Sequence, residues 1–289
     1  MIQILVTGSN GQLGNEIRQL APQFPGCSFV FTDVSELDIS DIQAIRNFPD
    51  IEKIQCIINC AAYTAVDKAE TDQDKAMLIN GTATGNLAMV SRETGALLIH
   101  VSTDYVFDGK NYRPYRENDI PNPLSVYARS KYQGETEIMS KASKALIIRT
   151  SWLYSSFGHN FVKTIMKYGK ERGKLNVVFD QIGAPTYAAD LARAILDIIP
   201  KTLDKPGVSV YHYANEGVAS WYDFAKAIIE LSGISCEINP IETKDYPLPA
   251  QRPFYSVFAK EKIRNELGIK IPYWKDSLEQ CIVKINETN

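Results

Sequence analysis

The chain has 289 residues and a formal net charge of −3, with 31 basic side chains interspersed among 34 acidic ones. This length can bury a sizeable core, and the balanced charge argues against a surface for nucleic acid or an anionic membrane. No apolar run reaches the ~18 residues that a membrane span requires. Met1 leads straight into an apolar segment without the features of a signal peptide, so we expect a cytoplasmic location.

Cysteines and histidines give no sign of a disulfide framework or a metal centre. The five cysteines are odd in number and show no CxxC spacing, which predicts small, reduced, buried side chains. The three histidines are widely spaced, so no histidine-based metal site is predicted.

The first half alternates short apolar runs with helix-like segments. Strands are predicted at Ile2–Val6, Ser28–Thr32, Cys56–Asn59, Leu97–Ser102 and Ala145–Arg149. The intervening helices are predicted at Gly11–Leu20, Ile39–Phe48, Ala76–Thr94 and Ser125–Ser140. Such alternation predicts a parallel sheet with helices on both faces, and continuous apolar runs suit strands that are buried on both sides.

The second half is less regular and is predicted to form a smaller domain. Helices are predicted at Phe157–Arg172, Tyr187–Ile199 and Trp221–Ser232, and short strands at Val177–Phe179 and Val210–Ala214. Pro200 is expected just beyond the second of these helices, and four prolines predict an irregular loop over Pro240–Pro253. We assign residues 1–151 and about 176–205 to the sheet domain, and about 152–175 and 206–289 to a mixed α/β substrate domain.

A glycine-rich loop follows the first strand and opens the first helix. Gly8 permits a tight turn, Gly11 lets a pyrophosphate approach the backbone, and Gly14 lets the helix pack closely on the sheet. The helix N-terminus favours anions, so the context predicts a Rossmann-type, doubly wound sheet that binds a dinucleotide. The predicted cofactor-binding residues of this loop are Gly8, Ser9, Asn10, Gly11, Gln12, Leu13 and Gly14.

Three later segments are expected to line the same cofactor. Asp33 ends the second strand, 19 residues after Gly14, where a carboxylate meets the adenosine ribose hydroxyls. This predicts that NADH is accepted, without excluding NADPH. Asp38 and Ile39 are expected beside the adenine, and Ala61, Ala62 and Tyr63 lie where the cofactor crosses the sheet edge.

A threonine, a tyrosine and a lysine form the candidate catalytic group. Thr103 ends the fourth predicted strand, and Tyr127 and Lys131 lie four residues apart on one helix face. The phenol can donate a proton to a carbonyl, the hydroxyl can stabilise the developing charge, and the ammonium is expected to lower the pKa of the phenol. Tyr222 and Lys226 repeat the spacing, but they follow no hydroxyl-bearing strand end. We therefore predict that Tyr222 packs against other side chains and that Lys226 is solvated.

Four segments carry a resemblance to the extended short-chain dehydrogenases/reductases. They are Ala61–Glu70 (AAYTAVDKAE), Ser102–Gly109 (STDYVFDG), Arg149–Tyr154 (RTSWLY) and Asp180–Thr186 (DQIGAPT). They are similar to a branch that reduces the 4-keto group of dTDP-4-dehydro-β-L-rhamnose with NADPH or NADH, for surface polysaccharides. The resemblance covers nearly the whole chain and weakens after about Gly268.

The resemblance implies roles for individual residues. Tyr127 would be the proton donor, Lys131 would hold the cofactor ribose, and Thr103 would tune the carbonyl. Substrate contacts are implied for Thr103, Asp104 and Trp152, and Arg252 is a candidate for the substrate diphosphate because a guanidinium suits phosphate oxygens.

The metal site of some relatives is not expected here. Those members dimerise around Mg²⁺ held by three glutamates, of which this sequence matches Glu16, while the second position reads Ala189 with Asp190 beside it. One clear glutamate is too few ligands for a hard cation. We therefore predict no metal and either a monomer or a metal-independent homodimer.

Two alternatives remain open at this point. Dehydratases and epimerases with bound NAD share the family, and Asp104 directly after Thr103 is typical of the dehydratases. A non-catalytic regulatory subunit, similar to the partner of methionine adenosyltransferase, keeps the same fold, although it has no need of Thr103, Tyr127 and Lys131 together.

Overall fold

In the computed structural model, which describes residues 1–287, six parallel strands form the central sheet. The strands of the chain are β1 (Ile2–Thr7), β2 (Cys27–Phe31), β3 (Cys56–Asn59), β4 (Leu97–Thr103), β5 (Lys144–Thr150), β6 (Leu153–Tyr154), β7 (Lys174–Val178), β8 (Ile182–Gly183), β9 (Thr186–Tyr187), β10 (Gly207–His212), β11 (Ala219–Ser220) and β12 (Glu237–Ile241). The central order is β10-β5-β4-β3-β1-β2. From the boundary between β1 and β3 the chain proceeds toward opposite edges of the sheet. Such a switch point leaves a crevice at the carboxyl ends of these two strands.

Eleven α-helices occur within residues 1–287, and most of them cover this sheet or a second core. They are α1 (Gln12–Leu20), α2 (Ile42–Arg46), α3 (Val66–Ala69), α4 (Gln73–Met77), α5 (Ala83–Thr94), α6 (Val126–Lys141), α7 (Phe161–Arg172), α8 (Ala188–Thr202), α9 (Trp221–Ser232), α10 (Glu261–Leu267) and α11 (Trp274–Glu287). No helix in this range is long and apolar enough to cross a membrane. The predicted doubly wound α/β fold is confirmed.

Each face of the sheet has its own apolar core. Side chains of α1, α8 and α10 pack on one face and those of α2, α5 and α6 on the other. A further core is built mainly by α7, α9 and α11, next to the two-stranded pairs β6–β9 and β7–β12.

The pairing of two strands suggests two changes to the predicted domain boundaries. β10 pairs with β5 in the central sheet, although residues from 206 onward were assigned to the smaller domain. β7 pairs with β12, outside the central sheet. We therefore propose the same two-domain division with β10 moved to the sheet domain and β7 to the smaller one.

Two predictions about prolines are wrong at the ends of elements. Pro200 lies inside the last turn of α8, where it removes one bond to the preceding turn and its ring crowds the carbonyl four residues before it. Pro240 lies in β12 rather than in a loop. A two-stranded pair consists only of edge strands, which tolerate proline.

The helix predicted over Ala76–Thr94 is not continuous. A π-helical turn at Leu78–Thr82 separates α4 from α5. Such turns are frequent at functional sites, and this one carries the buried residue Asn80.

Candidate active site

The three glycines of the loop after β1 differ in how closely other backbone atoms approach them. Gly8 has φ +62°, and a methyl group on it would lie 2.5 Å from the Cα of Ala61. A methyl group on Gly14 would lie 2.5 Å from the Cα of Ser9. At Gly11, by contrast, the nearest atom to such a methyl group is the Gly8 carbonyl at 3.2 Å. The first and third glycines thus serve close backbone packing, while a methyl group on the second, at the start of α1, would crowd only the Gly8 carbonyl.

The carboxylate of Asp33 is fixed beside this loop. It accepts hydrogen bonds from the backbone N–H groups of Asn10 (3.0 Å) and Val34 (2.8 Å). Arg18, which belongs to no motif in the sequence, donates to the Ser9 hydroxyl at 3.0 Å and lies over the ring of Phe31. A negative and a positive side chain therefore border the position expected for the adenosine ribose.

Other predicted cofactor residues have structural partners that limit what they can contribute. Leu13 and Ile39 are buried in the cores, so only their backbones can meet a ligand. The Asp38 carboxylate accepts hydrogen bonds from Ser40, and Gln12 accepts one from Asn160.

Asn80 shapes the opposite wall and escaped the sequence analysis. Its side-chain oxygen accepts a hydrogen bond from the Tyr63 N–H at 2.8 Å, and its nitrogen donates to Tyr63 O and to the Ser130 hydroxyl. It therefore joins the segment of Ala61, Ala62 and Tyr63 to the helix that carries Tyr127. The polar Asn80-Gly81-Thr82 sequence within an otherwise helical segment was the available signal.

Thr103 and Tyr127 meet at the carboxyl edge of the sheet. Ser125 caps α6 through its hydroxyl, which places Tyr127 in the first turn. Burial raises the pKa of Tyr127 to about 12, although a hydrogen bond with Thr103 acts in the opposite direction. The Tyr127 ring packs edge-on against Tyr105, with centroids 5.9 Å apart. The phenol is therefore protonated at neutral pH, as a proton donor must be.

Lys131 lies on the same helix but its ammonium has other partners. Its Nζ donates to the Val101 carbonyl at 2.7 Å and lies 3.3 Å from Nε2 of His100. Burial lowers the pKa of Lys131 to about 8, while Glu135 and Cys60 act to raise it. Lys131 is not among the groups that shift the pKa of Tyr127, which burial of the phenol raises, so the expected lowering of this pKa by Lys131 is not seen.

Asp104 adds a buried acid to this group. Burial raises the pKa of Asp104 to about 7, against hydrogen bonds from Ser256 and Thr103 that lower it. Ser256, from the C-terminal loop, was not selected from the sequence. A hydroxyl and a carboxyl that titrates near neutrality thus stand side by side at the end of β4.

The two remaining substrate candidates lie on the rim. Trp152 has a left-handed backbone (φ +48°) and stacks on Trp221, with centroids 3.6 Å apart. It also packs against Gly183, which in turn adjoins Ser256. Arg252 forms a two-point ion pair with Asp67 and hydrogen-bonds Tyr105. Trp152 therefore connects to Asp104 through Gly183 and Ser256, and Arg252 connects to Tyr127 through Tyr105.

Two further predictions concern sites outside this cluster. Residues 1–287 contain no group of three or more His, Cys, Asp or Glu side chains placed to hold a metal. Tyr222 packs on the smaller core and Lys226 is exposed, as predicted for the repeated spacing.

Known proteins resemble this chain along its full length. The family described as "RmlD substrate binding domain" matches residues 2–287. The spore coat polysaccharide biosynthesis protein SpsK of Bacillus subtilis is 40% identical, over 98% of this chain and 97% of that protein. A dTDP-4-dehydrorhamnose reductase from Clostridium acetobutylicum has a crystal structure with a TM-score of 0.93 and 41% identity, covering 99% of this chain and 100% of that one.

A second solved structure includes a cofactor. It is the dTDP-4-dehydrorhamnose reductase of Bacillus anthracis in complex with NADP, with a TM-score of 0.92, 38% identity and coverage of 98% and 100%. The resemblance that the four sequence segments indicated is confirmed. The chain belongs to the RmlD family of dTDP-4-dehydrorhamnose reductases.

Proposed function

We propose that this protein reduces the 4-keto group of dTDP-4-dehydro-β-L-rhamnose to give dTDP-L-rhamnose, the last step in making that sugar nucleotide, with NADPH or NADH as reductant. The observation that carries the proposal is that Thr103, at the end of β4, and Tyr127, in the first turn of α6, lie beside each other at the sheet edge that also carries the glycine loop. The two groups needed to polarise and protonate a carbonyl thus adjoin the site that fits a dinucleotide.

The residues present divide the reaction between them. When bound, the dihydronicotinamide supplies the hydride. Tyr127 donates its phenolic proton to the keto oxygen, and Thr103 donates a hydrogen bond to the same oxygen as negative charge develops there. Lys131 holds the nicotinamide ribose. Asp104 orients the sugar hydroxyls by hydrogen bonds, which the carboxyl group can form in either protonation state.

Groups on either side of Thr103 and Tyr127 support binding of the cofactor and of the sugar nucleotide. The N–H groups of Ser9, Asn10 and Gly11 are bonded to Thr32, Asp33 and Gly8. A diphosphate is favoured instead by the N-terminus of α1, which begins at Gln12. Trp152 offers an aromatic face to the sugar nucleotide, and Arg252 is placed to approach its diphosphate if the pair with Asp67 opens.

Asp104 also favours a second candidate function. A buried carboxyl that can hold a proton near pH 7, directly beside Thr103, is the equipment of a dehydratase or epimerase that retains its NAD. A non-catalytic regulatory subunit is the third reading, against which the intact set of Thr103, Tyr127 and Lys131 argues.

One assay separates these functions. The purified protein is mixed with the dTDP-4-keto-6-deoxysugar prepared with an upstream epimerase, and NADPH or NADH is followed by absorbance. Substrate-dependent oxidation of the cofactor supports the reductase. Isomerisation or loss of water without oxidation supports the second enzyme, and no reaction supports the regulatory subunit.

We also infer that the protein acts in the cytoplasm, as a monomer or a metal-independent homodimer. In support, Glu16 accepts a hydrogen bond from Ser155 at 2.6 Å and lies 3.8 Å from Nζ of Lys284. An ammonium beside this carboxylate opposes binding of a divalent cation. A dimer that dissociates on addition of a chelator, measured by light scattering, would contradict this inference.

A further inference from the structure

A line of buried polar groups connects Lys131 to the first strand of the sheet. Nζ of Lys131 lies 3.3 Å from Nε2 of His100, and Nδ1 of His100 lies 3.1 Å from Nδ2 of Asn59. Oδ1 of Asn59 accepts hydrogen bonds from the Ala61 N–H at 3.1 Å and from the Thr7 hydroxyl at 2.8 Å. His100 is fully buried and Asn59 is 1% exposed, so water cannot substitute for a missing partner.

One backbone group determines the direction of every bond in this line. The N–H of Ala61 can only donate, so the Asn59 atom facing it must be the carbonyl oxygen. The amide nitrogen of Asn59 then faces His100 and donates to Nδ1, which must be unprotonated. Burial holds the pKa of His100 well below its ordinary value. A neutral imidazole with a bare Nδ1 carries its single proton on Nε2.

The consequence falls on the lysine. The Nε2–H of His100 points at Nζ of Lys131, and an ammonium has no lone pair with which to accept it. A neutral amine can accept this hydrogen bond while still donating to the Val101 carbonyl. Among the other groups near Lys131, Glu135 is itself paired with Arg149, and the Cys60 thiol is buried and its pKa is raised by that burial. Neither group therefore cancels the preference for a neutral amine that the Nε2–H of His100 imposes on Lys131.

We propose that His100 is a positioning residue that donates its Nε2–H to Lys131 and thereby favours the neutral amine until the cofactor binds, so that binding takes up a proton from solvent. The inference rests on the proposed contact of Lys131 with the cofactor ribose. Ribose hydroxyls and the negative diphosphate both favour an ammonium. Binding of the cofactor therefore shifts the lysine to its charged form by linkage.

The first test measures the lysine without any cofactor. Lysine side-chain NMR signals of the full chain are followed against pH, and Lys131→Met identifies the signal. We expect a midpoint near pH 8. His100→Leu removes the opposing N–H and should raise that midpoint by about one pH unit or more. An unchanged midpoint in a folded His100→Leu protein would overturn the proposal.

A second variant reverses the direction of the hydrogen bonds between residue 59, His100 and Lys131 instead of removing one of them. In Asn59→Asp the carboxylate accepts from Ala61 and Thr7 and also from Nδ1–H of His100, which leaves Nε2 as an acceptor for the ammonium. The midpoint of Lys131 should rise here as well. His212→Leu is the matched control, because His212 is equally buried but contacts Arg149 and Tyr115, and it should leave the midpoint unchanged.

The third test uses the native protein, so it does not depend on any variant folding. Calorimetric titration with NADPH or NADH in two buffers of different ionisation enthalpy gives the protons taken up on binding. We expect uptake of more than about half a proton near pH 8.5 and close to none near pH 6.5. Binding without proton uptake near pH 8.5 would overturn the role of His100, whereas absence of binding would instead overturn the proposed function.

Discussion

Arg252 and Asp67 form a two-point ion pair between segments that are 185 residues apart in the chain. Nη1 of Arg252 donates to Oδ1 of Asp67 at 3.0 Å, and Nη2 donates to Oδ2 at 2.7 Å. The N–H of Ala250 donates to the same carboxylate at 3.2 Å. Asp67 therefore holds the C-terminal loop against α3, which begins only three residues after Tyr63, and the fork of Arg252 is occupied in this structure.

The first prediction concerns this pair. Arg252→Ala should raise the KM for the sugar nucleotide by about tenfold with a smaller effect on kcat, because the loop loses its attachment and the rim loses a positive charge. The loss of stability should be only about 1 kcal/mol, since Asp67 is partly exposed to solvent. Steady-state kinetics with both substrates varied provides the measurement. Arg264→Ala, which breaks the exposed pair with Glu216, is the control, and an equal KM in both variants would refute the assignment.

The second prediction separates Tyr127 from its decoy. Tyr127→Phe removes the proton donor and should reduce kcat by about 100-fold or more, the range for loss of a positioned general acid. Cofactor affinity, measured by quenching of nicotinamide fluorescence, should change little because the ring remains. Tyr222→Phe, on the helix with the same spacing, should retain full turnover. A Tyr127→Phe enzyme with normal kcat would remove Tyr127 from the mechanism.

The third prediction concerns the buried ion pair beneath the catalytic helix. Arg149 donates to both oxygens of Glu135 at 2.9 and 2.7 Å, and the Ser102 hydroxyl donates to Oε1 at 2.6 Å. Glu135 is completely buried and Arg149 is 2% exposed. Arg149→Met should cost about 3–5 kcal/mol of unfolding free energy, because it leaves a buried carboxylate without its partner.

Urea denaturation with two further proteins tests that explanation. Adding Glu135→Gln to Arg149→Met should recover part of the lost stability, since the unpaired charge is then absent. Lys174→Ala, in an exposed pair with Glu237, should change stability by less than about 0.5 kcal/mol. If the double variant is no more stable than Arg149→Met, uncompensated charge is not the cause.

The fourth prediction concerns the choice of cofactor. Asp33 opposes a 2′-phosphate by its charge, while Arg18 nearby favours one. Asp33→Ser should therefore raise the ratio of kcat/KM for NADPH over NADH by about tenfold. Asp41→Ser is the control, because Asp41 is an exposed helix cap and serine also caps helices. A ratio that is unchanged in Asp33→Ser would show that Arg18 and the backbone alone set the preference.

The sequence predicted those parts of the fold and site that depend on local patterns. Apolar runs and turn residues located all five predicted strands of the first half, and the spacing of Tyr127 and Lys131 placed them on one face of α6. The glycine loop was readable because its backbone conformation at Gly8 requires glycine.

Features that depend on contacts between distant segments were not readable. The roles of His100 and Asn59 depend on neighbours that lie far away in the sequence, namely Lys131 and Thr7. Likewise, no local pattern indicates the pairing of Asp67 with Arg252. The end of α8 was predicted too early because proline usually ends a helix, whereas here Ile198, Ile199 and Thr202 around Pro200 are buried in the packed structure. Asn80 was missed because the π-helical turn preserves the helical composition around it.

The last prediction uses the raised pKa of Asp104. In the unfolded chain this carboxyl has a pKa of about 3.9, and in the folded protein the pKa is about 7, so between these values the folded state binds more protons. The stability of the native protein should therefore fall as pH rises from 4 to 7 and then level off, by roughly 4 kcal/mol for this group. Asp104→Asn cannot ionise, so it should be more stable than the native protein at pH 8 and nearly equal to it at pH 4. Urea denaturation at both values, with the exposed Asp197→Asn as control, measures the difference, and a gap between the two proteins that stays constant with pH would mean that Asp104 titrates normally.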